Sequence, residues 1–201
     1  MSCHIVISRY DKSTEWSAKF HEVADEVRVI VYDKERPENP FNIPVNKGNE
    51  ASVYLKYIVD FYENLPEYVF FIHDEEYSWH HEGSIIDRFI EAYVLERPFV
   101  NVNHFTMGSL YTNIYHFELL LWYNEYIEEY IPYDSLPDPD WTNGHKGAAQ
   151  FLVKREAILK RPKAFYENLY QWMITSSESN FITGRFMEWS WHLFWDDLST
   201  V

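Results

Sequence analysis

Acidic and imidazole side chains crowd directly after a short apolar run in FFIHDEEYSWHH, Phe70 to His81. Asp74 and Glu76 stand at alternate positions, a spacing at which two carboxylates can hold a hard divalent ion such as Mg²⁺ or Mn²⁺. Paired acids after a strand are, however, most often solvated turn residues. The stretch therefore has two interpretations, an acidic turn or a metal site at the end of a strand.

The elements that position these residues alternate between strand and helix. Apolar β-branched runs predict strands at His4–Tyr10, Val27–Tyr32 and Tyr68–Ile72. Helical spacing of apolar residues predicts helices at Thr14–Val23 and between Glu50 and Asn64. Strands separated by helices pair in parallel, and ligands bind beyond their carboxyl ends. We therefore expect an α/β domain whose site lies at the edge where the acidic stretch begins.

The second half of the chain has a mixed pattern. The predicted elements are, in order, a helix at Ile85–Leu95, a short strand within Arg97–Phe105, a helix at Tyr115–Tyr130, a loop at Pro132–Gly147, a strand at Ala149–Val153, a helix that continues past Pro162 to Met173, and a C-terminal helix with Met187, Trp191 and Phe194 near one face.

Composition limits the class of protein. The 201 residues fit a single domain, and the net charge of −15 argues against a nucleic-acid partner. Cys3 is the only cysteine, so a disulfide framework is not expected. The sequence shows no signal-peptide pattern and no apolar run of the ~20 residues that span a bilayer, so we expect a cytoplasmic protein. The aromatic content of 19% favours an aromatic core over a sugar-binding surface.

Five segments carry a resemblance to known proteins: NKGNE, the YLKYI helix, FIH with SWH, AAQF with REAILKRP, and EWSWH. Together they resemble a family of domains of unknown function in fungi, algae and large viruses, and glycosyltransferases of the GT-A type that include a chlorella-virus capsid-glycan enzyme. The resemblance implies one GT-A-like, Rossmann-like domain over 1–201, with a mixed, mostly parallel sheet. Its nucleotide-binding part would span about 1–110 and its acceptor-binding part about 111–201.

The resemblance also implies metal and nucleotide ligands. Asp74 and Glu76 would take the places of a D-x-D element that binds Mn²⁺ or Mg²⁺, with Glu in place of the last Asp, and His192 or His73 would complete the metal shell. The implied nucleotide-sugar ligands are Arg9, Tyr10, Asp33, Asn46, Gly48 and Gln150. Packing, turn and capping roles remain alternatives for Tyr10, Asp33 and Gly48.

Glu188 is the implied catalytic carboxylate together with Asp74, because a carboxylate near the reacting carbon can accept the acceptor proton or stabilise an oxocarbenium-like state. An ion pair with Arg185 is its structural alternative. The resemblance implies transfer of a hexose or deoxyhexose from a UDP-sugar to a glycan or glycoprotein. The reaction would take place in the host cytoplasm if the protein is viral. The chain would act alone or as part of a multidomain protein. A metal-dependent phosphoesterase and a non-catalytic carbohydrate-binding module are the alternative functions.

Overall fold

Strands form where apolar β-branched runs occur, and they assemble into one mixed sheet. The computed structural model describes residues 2–36, 38–105, 115–136 and 148–195. Its strands are β1 (Cys3–Arg9), β2 (Val27–Asp33), β3 (Tyr68–His73), β4 (Phe99–Asn101) and β5 (Phe151–Lys154). The order across the sheet is β2-β1-β3-β5-β4. β1 pairs in parallel with β2 and β3, whereas β5 runs antiparallel to both β3 and β4.

The helices connect and cover these strands. They are α1 (Phe20–Val23), α2 (Ala51–Phe61), α3 (Ile85–Tyr93), α4 (His116–Tyr126), α5 (Arg155–Ile158), α6 (Lys163–Thr175), α7 (Asn180–Glu188) and α8 (Trp191–Trp195). This is the expected α/β domain with a mixed, mostly parallel central sheet, and its fold is Rossmann-like.

Alternation along each strand divides the apolar side chains between two cores. One core packs the sheet against α2, α6 and α8, and its strand residues include Val6, Val69, Phe71, Phe151 and Val153. The other packs the opposite face against Phe20 of α1 and Phe89 of α3, and its strand residues include Ile5, Ile7, Phe70, Ile72 and Leu152. Many of the largest buried side chains are aromatic, so the aromatic residues serve mainly the core, as composition indicated.

Two predicted helices are interrupted in the structure. The helix expected to continue past Pro162 is divided into α5 and α6, because proline lacks an N–H and disfavours helical backbone in the residue before it. Pro162 instead lies at the N-cap of α6. The C-terminal helix is likewise divided, since α7 ends at Glu188 and α8 begins at Trp191. The expected helix at Thr14–Val23 is a 3-10 turn, Glu15–Lys19, followed by α1.

Two expectations fall largely on residues that the structure does not describe. Most of the predicted loop at Pro132–Gly147 lies outside the described residues, and so does the expected boundary between 110 and 111. Among the helices that are described, none is long and apolar enough to cross a lipid bilayer.

Candidate active site

A polar cavity of about 390 Å³ opens at the carboxyl ends of the three parallel strands. Its walls come from the segments that follow β1, β2 and β3, from the turn before α2, and from the first residue of α7. The lining residues are Ser8, Tyr10, Lys34, Asn46, Asn49, Glu50, His73, Asp74, Glu75 and Asn180. The cavity therefore lies at the edge of the sheet where an open α/β fold binds its ligands.

A buried acid and imidazole face this cavity together. Glu50 lies directly before α2 and His73 ends β3, and 3.6 Å separates Glu50 Oε2 from His73 Nε2. Burial opposes both charged forms, but attraction to His73 outweighs it and lowers the pKa of Glu50. Attraction to Glu50 likewise raises the pKa of His73 against the effect of burial. Each member of the pair therefore favours the charged form of the other, at an ion-pair distance.

The charges of Glu50 and His73 also act on Glu188, in the last turn of α7. Arg185 Nη1 lies 2.6 Å from Glu188 Oε2, so the ion pair considered as its structural alternative is present. Even so, burial and the nearby Glu50 charge raise the pKa of Glu188 to about 7, despite the opposing effects of Arg185 and His73. A carboxyl group with a pKa near neutrality can exchange a proton during a reaction.

Two further groups beside the pair have shifted pKa values. Burial lowers the pKa of Lys34 to about 8, although Glu50 and Asp74 counteract this. Its Nζ donates to the main-chain oxygen of Asn49. Burial and the His73 charge lower the pKa of His80 to about 3, and the His80 ring meets His73 edge-on at a centroid distance of 4.5 Å. His80 is thus a neutral neighbour of a charged imidazole.

The predicted metal ligands do not meet in one place. Asp74 lines the cavity, but its Oδ2 accepts the main-chain N–H groups of Tyr10 at 2.8 Å and Lys12 at 3.3 Å. Glu76 contacts Lys19 at 2.7 Å and accepts the Ser84 hydroxyl at 3.1 Å, beside the start of α3.

The third predicted metal ligand, His192, is buried in α8. In the part of the chain that the structure describes, no group of three or more His, Cys, Asp or Glu side chains is placed to hold a metal ion. The expected Mn²⁺ or Mg²⁺ site therefore stays a prediction from the resemblance.

The residues predicted to bind a nucleotide separate into two sets. Tyr10 is exposed and lines the cavity, as its place after β1 indicated. Arg9 and Asp33, by contrast, bind each other, with Arg9 Nη1 at 2.8 Å from Asp33 Oδ1. Asp33 also accepts the main-chain N–H of Glu35 and contacts Arg36. Their charges are already paired, so their expected contacts with phosphate and base stay predictions.

The other three predicted residues have local structural partners. Asn46 lines the cavity, and its main-chain oxygen accepts the side-chain amide of Asn180 at 3.2 Å. Gly48 has a φ of +65°, and a Cβ there would overlap the sulfur of Met173 in α6, so the glycine allows a turn to pack against a helix. Gln150 is buried before β5, where its Oε1 accepts the His73 main-chain N–H at 3.3 Å.

Sequence reasoning names Lys34 only as one of the residues that follow the strands and gives no role to Glu50, although both line the cavity. Glu50 resembles an ordinary first residue of a helix, and Lys34 resembles a surface residue after a strand. The available signal was in the segments that carry the family resemblance: NKGNE contains Glu50, FIH ends at His73, and EWSWH begins near Glu188. The fold brings these separated segments together at one edge.

These segments all lie within a match to one protein family. Residues 5–200 match the family described as "Protein of unknown function (DUF3431)". The chain belongs to the DUF3431 family. A search of curated proteins gives no match.

Proposed function

We propose that the protein is a glycosyltransferase that moves a hexose or deoxyhexose from a UDP-sugar to a glycan or glycoprotein. The observation that carries this proposal is the buried Glu50–His73–Glu188 cluster beside a polar cavity at the carboxyl ends of parallel strands. Sugar transfer needs a proton acceptor beside a nucleotide-binding edge, and these described residues supply both. The resemblance to GT-A enzymes supports the same reading.

The cavity offers groups suited to a nucleotide diphosphate. Tyr10 is an exposed ring at the end of β1 and can stack on a base. Lys34 lines the cavity, and with a pKa of about 8 it carries its charge at neutral pH, so it can attract the donor phosphates. Lys34 is therefore the side chain to which we assign diphosphate binding.

The reaction that we assign to the cluster is a displacement at the anomeric carbon. The acceptor oxygen forms a bond to that carbon, the bond from the carbon to the UDP oxygen breaks, and its electron pair leaves with UDP. Glu188 accepts the proton of the acceptor hydroxyl, which its raised pKa favours at neutral pH. The Glu50 charge helps to raise that pKa, and His73 partly offsets its effect.

No step is assigned to a metal ion, because the described residues do not group around one. We therefore expect donor binding to depend on Lys34 and on charge neutralisation within the cavity. The predicted dependence on Mn²⁺ or Mg²⁺ is left to experiment, in which each nucleotide is offered with and without the ion.

The first experiment is a thermal-shift and calorimetric comparison of UDP, GDP and CMP, each with and without Mn²⁺. A transferase of this kind should be stabilised selectively by UDP, since a ligand that binds only the folded state raises the melting temperature. Equal responses to all three nucleotides, or no response, would contradict the proposal. Stabilisation by Mn²⁺ together with hydrolysis of a phosphate ester would favour the phosphoesterase alternative.

The second experiment measures UDP release from a panel of UDP-hexoses. Glu188→Gln should keep UDP affinity and lose about two decades of transfer rate, the usual scale for an acid–base group. Glu91→Gln is the matched control, because Glu91 also pairs with an arginine three residues earlier, at 2.7 Å, but on the surface. If both variants transfer at the wild-type rate, Glu188 is not the base.

A further inference from the structure

Three aromatic rings form a fixed stack beside the active-site cluster. The His80 ring lies 3.8 Å from the Trp79 ring, centroid to centroid, and Phe105 lies 5.5 Å from Trp79 with its plane within 13° of parallel. His80 and Phe105 are 6.0 Å apart, so the directions from Trp79 to its two neighbours are nearly perpendicular. Parallel rings at this distance are offset-stacked, so His80 and Phe105 both lie against the same face of Trp79.

The opposite face of Trp79 is open to solvent. Trp79 exposes 67% of its surface, although large apolar side chains in this chain are mostly buried. A ring that is backed by two other rings on one face and open on the other face is a flat platform. Single exposed apolar side chains are common, whereas contiguous apolar surface is typical of binding sites, and Trp79 belongs to a contiguous group of three rings.

The platform is held in place by the main chain on both sides. Trp79 and His80 belong to the segment after β3, and Phe105 belongs to the segment after β4. The His104 N–H donates to the His80 carbonyl oxygen at 2.9 Å and joins the two segments, and the His80 N–H donates to Ser78 Oγ at 3.3 Å. A surface that is ordered before binding loses less entropy when a ligand stacks on it.

The platform and the cavity lie on opposite sides of the Glu50–His73 pair. The cavity is lined from the segments after β2, β1 and β3, whereas the platform joins the segments after β3 and β4, at the other end of the sheet order. Ring contacts of 3.8 and 4.5 Å connect Trp79 to His73 through His80. The charge of Arg185, the partner of Glu188, also acts on His80. A ligand on the platform would thus be separated from His73 by the Trp79 and His80 rings, and would lie outside the lining of the nucleotide cavity.

We propose that Trp79, backed by His80 and Phe105, forms the binding surface for a pyranose ring of the acceptor. The C–H groups on one face of a pyranose are apolar and slightly positive, so they stack on the negative face of an aromatic ring. The role as acceptor site depends on the proposed glycosyltransferase activity. The sugar-binding property itself depends only on the ring geometry and can be tested without a donor.

The test titrates methyl glycosides of hexoses and deoxyhexoses, without nucleotide, and follows their contact with the protein by saturation-transfer NMR. Trp79→Ala should raise the dissociation constant of a binding glycoside by about tenfold, the scale of one stacking contact, and Trp79→Phe should fall between this variant and the wild type. Because Trp79 is largely exposed, both variants should fold. Phe117→Ala is the control, since Phe117 is 78% exposed in α4, outside the stack, and it should bind like the wild type.

Calorimetry with UDP on the same variants separates this inference from the proposed function. Glycoside binding that weakens in the order Trp, Phe, Ala, with UDP affinity unchanged, is the expected result. If UDP affinity falls in Trp79→Ala while glycoside binding does not, the platform binds a nucleotide base and the inference is wrong. Unchanged glycoside binding in every variant, or no glycoside binding by the wild type, would also overturn it, whatever the result for UDP. If glycosides bind at Trp79 but UDP does not bind at all, Trp79 is a sugar-binding surface, and its assignment as the acceptor site is wrong.

Discussion

Replacing Glu188 by Gln should stabilise the protein at alkaline pH while it lowers the transfer rate about a hundredfold. Raising a carboxyl pKa from 4.5 to about 7 means that the charged form of Glu188 costs about 3 kcal/mol in the folded state. The cost arises from burial and from the adjacent Glu50 charge, and it already includes the attraction of Arg185. Gln has nearly the same shape and carries no charge, so it should avoid most of this cost.

The sign of the pH dependence follows from proton linkage. Between the unfolded pKa of 4.5 and the folded pKa of about 7, the folded chain binds more protons at Glu188 than the unfolded chain does. The free energy of unfolding should therefore fall as pH rises through this window and stay low above it. At about pH 5 the Gln variant should be nearly as stable as the wild type, and at about pH 8 it should be more stable by up to about 3 kcal/mol.

Urea denaturation at both pH values measures this difference directly. Glu91→Gln again serves as the control, because the side chain of Glu91 is 59% exposed whereas that of Glu188 is 11% exposed. The control should change stability by less than about 1 kcal/mol at either pH. If Glu188→Gln is less stable than the wild type by the same amount at both pH values, Glu188 is an ordinary ion-pair partner of Arg185 and the argument for a poised base fails.

Three other perturbations test the geometry around this cluster. Gly48→Ala should lower the free energy of unfolding by about 3 kcal/mol in chemical denaturation, because it combines a positive φ with a steric overlap. The control Gly83→Ala has a similar φ of +70° but no contact closer than 3.9 Å, so it should lower that free energy by about 1 kcal/mol. Equal losses would disprove the overlap. Glu50→Gln should lower the pKa of His73 in an NMR titration, since the attraction that raises it is removed, and an unchanged titration would exclude the ion pair. UDP affinity measured by calorimetry should decline as pH rises through about 8, where Lys34 loses its charge. Affinity that is independent of pH would remove Lys34 from the donor site.

Much of the fold could be predicted because its signals are local. The run His4–Tyr10 predicts a strand within one residue of β1, Cys3–Arg9, since continuous β-branched residues favour extended backbone wherever they are placed. The direction of β5 could not be predicted in the same way. Ala149–Val153 has the composition of a strand, but its antiparallel pairing depends on the path of the chain before it, which leaves no local pattern.

The candidate site was harder to predict because it depends on side-chain direction. Alternation along β3 ends with His73, and beyond it the backbone turns, so the alternate spacing of Asp74 and Glu76 no longer places them on one side. One carboxylate binds main-chain N–H groups and the other binds Lys19. Glu188 was singled out through the resemblance carried by EWSWH. Its spacing of one helical turn from Arg185 indicated the ion pair between them, which is present at 2.6 Å.

The position of β5 also determines when the site can assemble during folding. In β3, Phe70 pairs with Leu152 of β5, which lies about eighty residues later in the chain. The strands β1, β2 and β3, by contrast, all lie within the first 73 residues. Contacts of high sequence separation form late, and domains begin to fold as they emerge from the ribosome. A nascent chain would therefore expose the apolar edge of β3 until β5 is synthesised. This edge is a place for self-association or chaperone binding, and Glu188 reaches Glu50 and His73 only after it is covered.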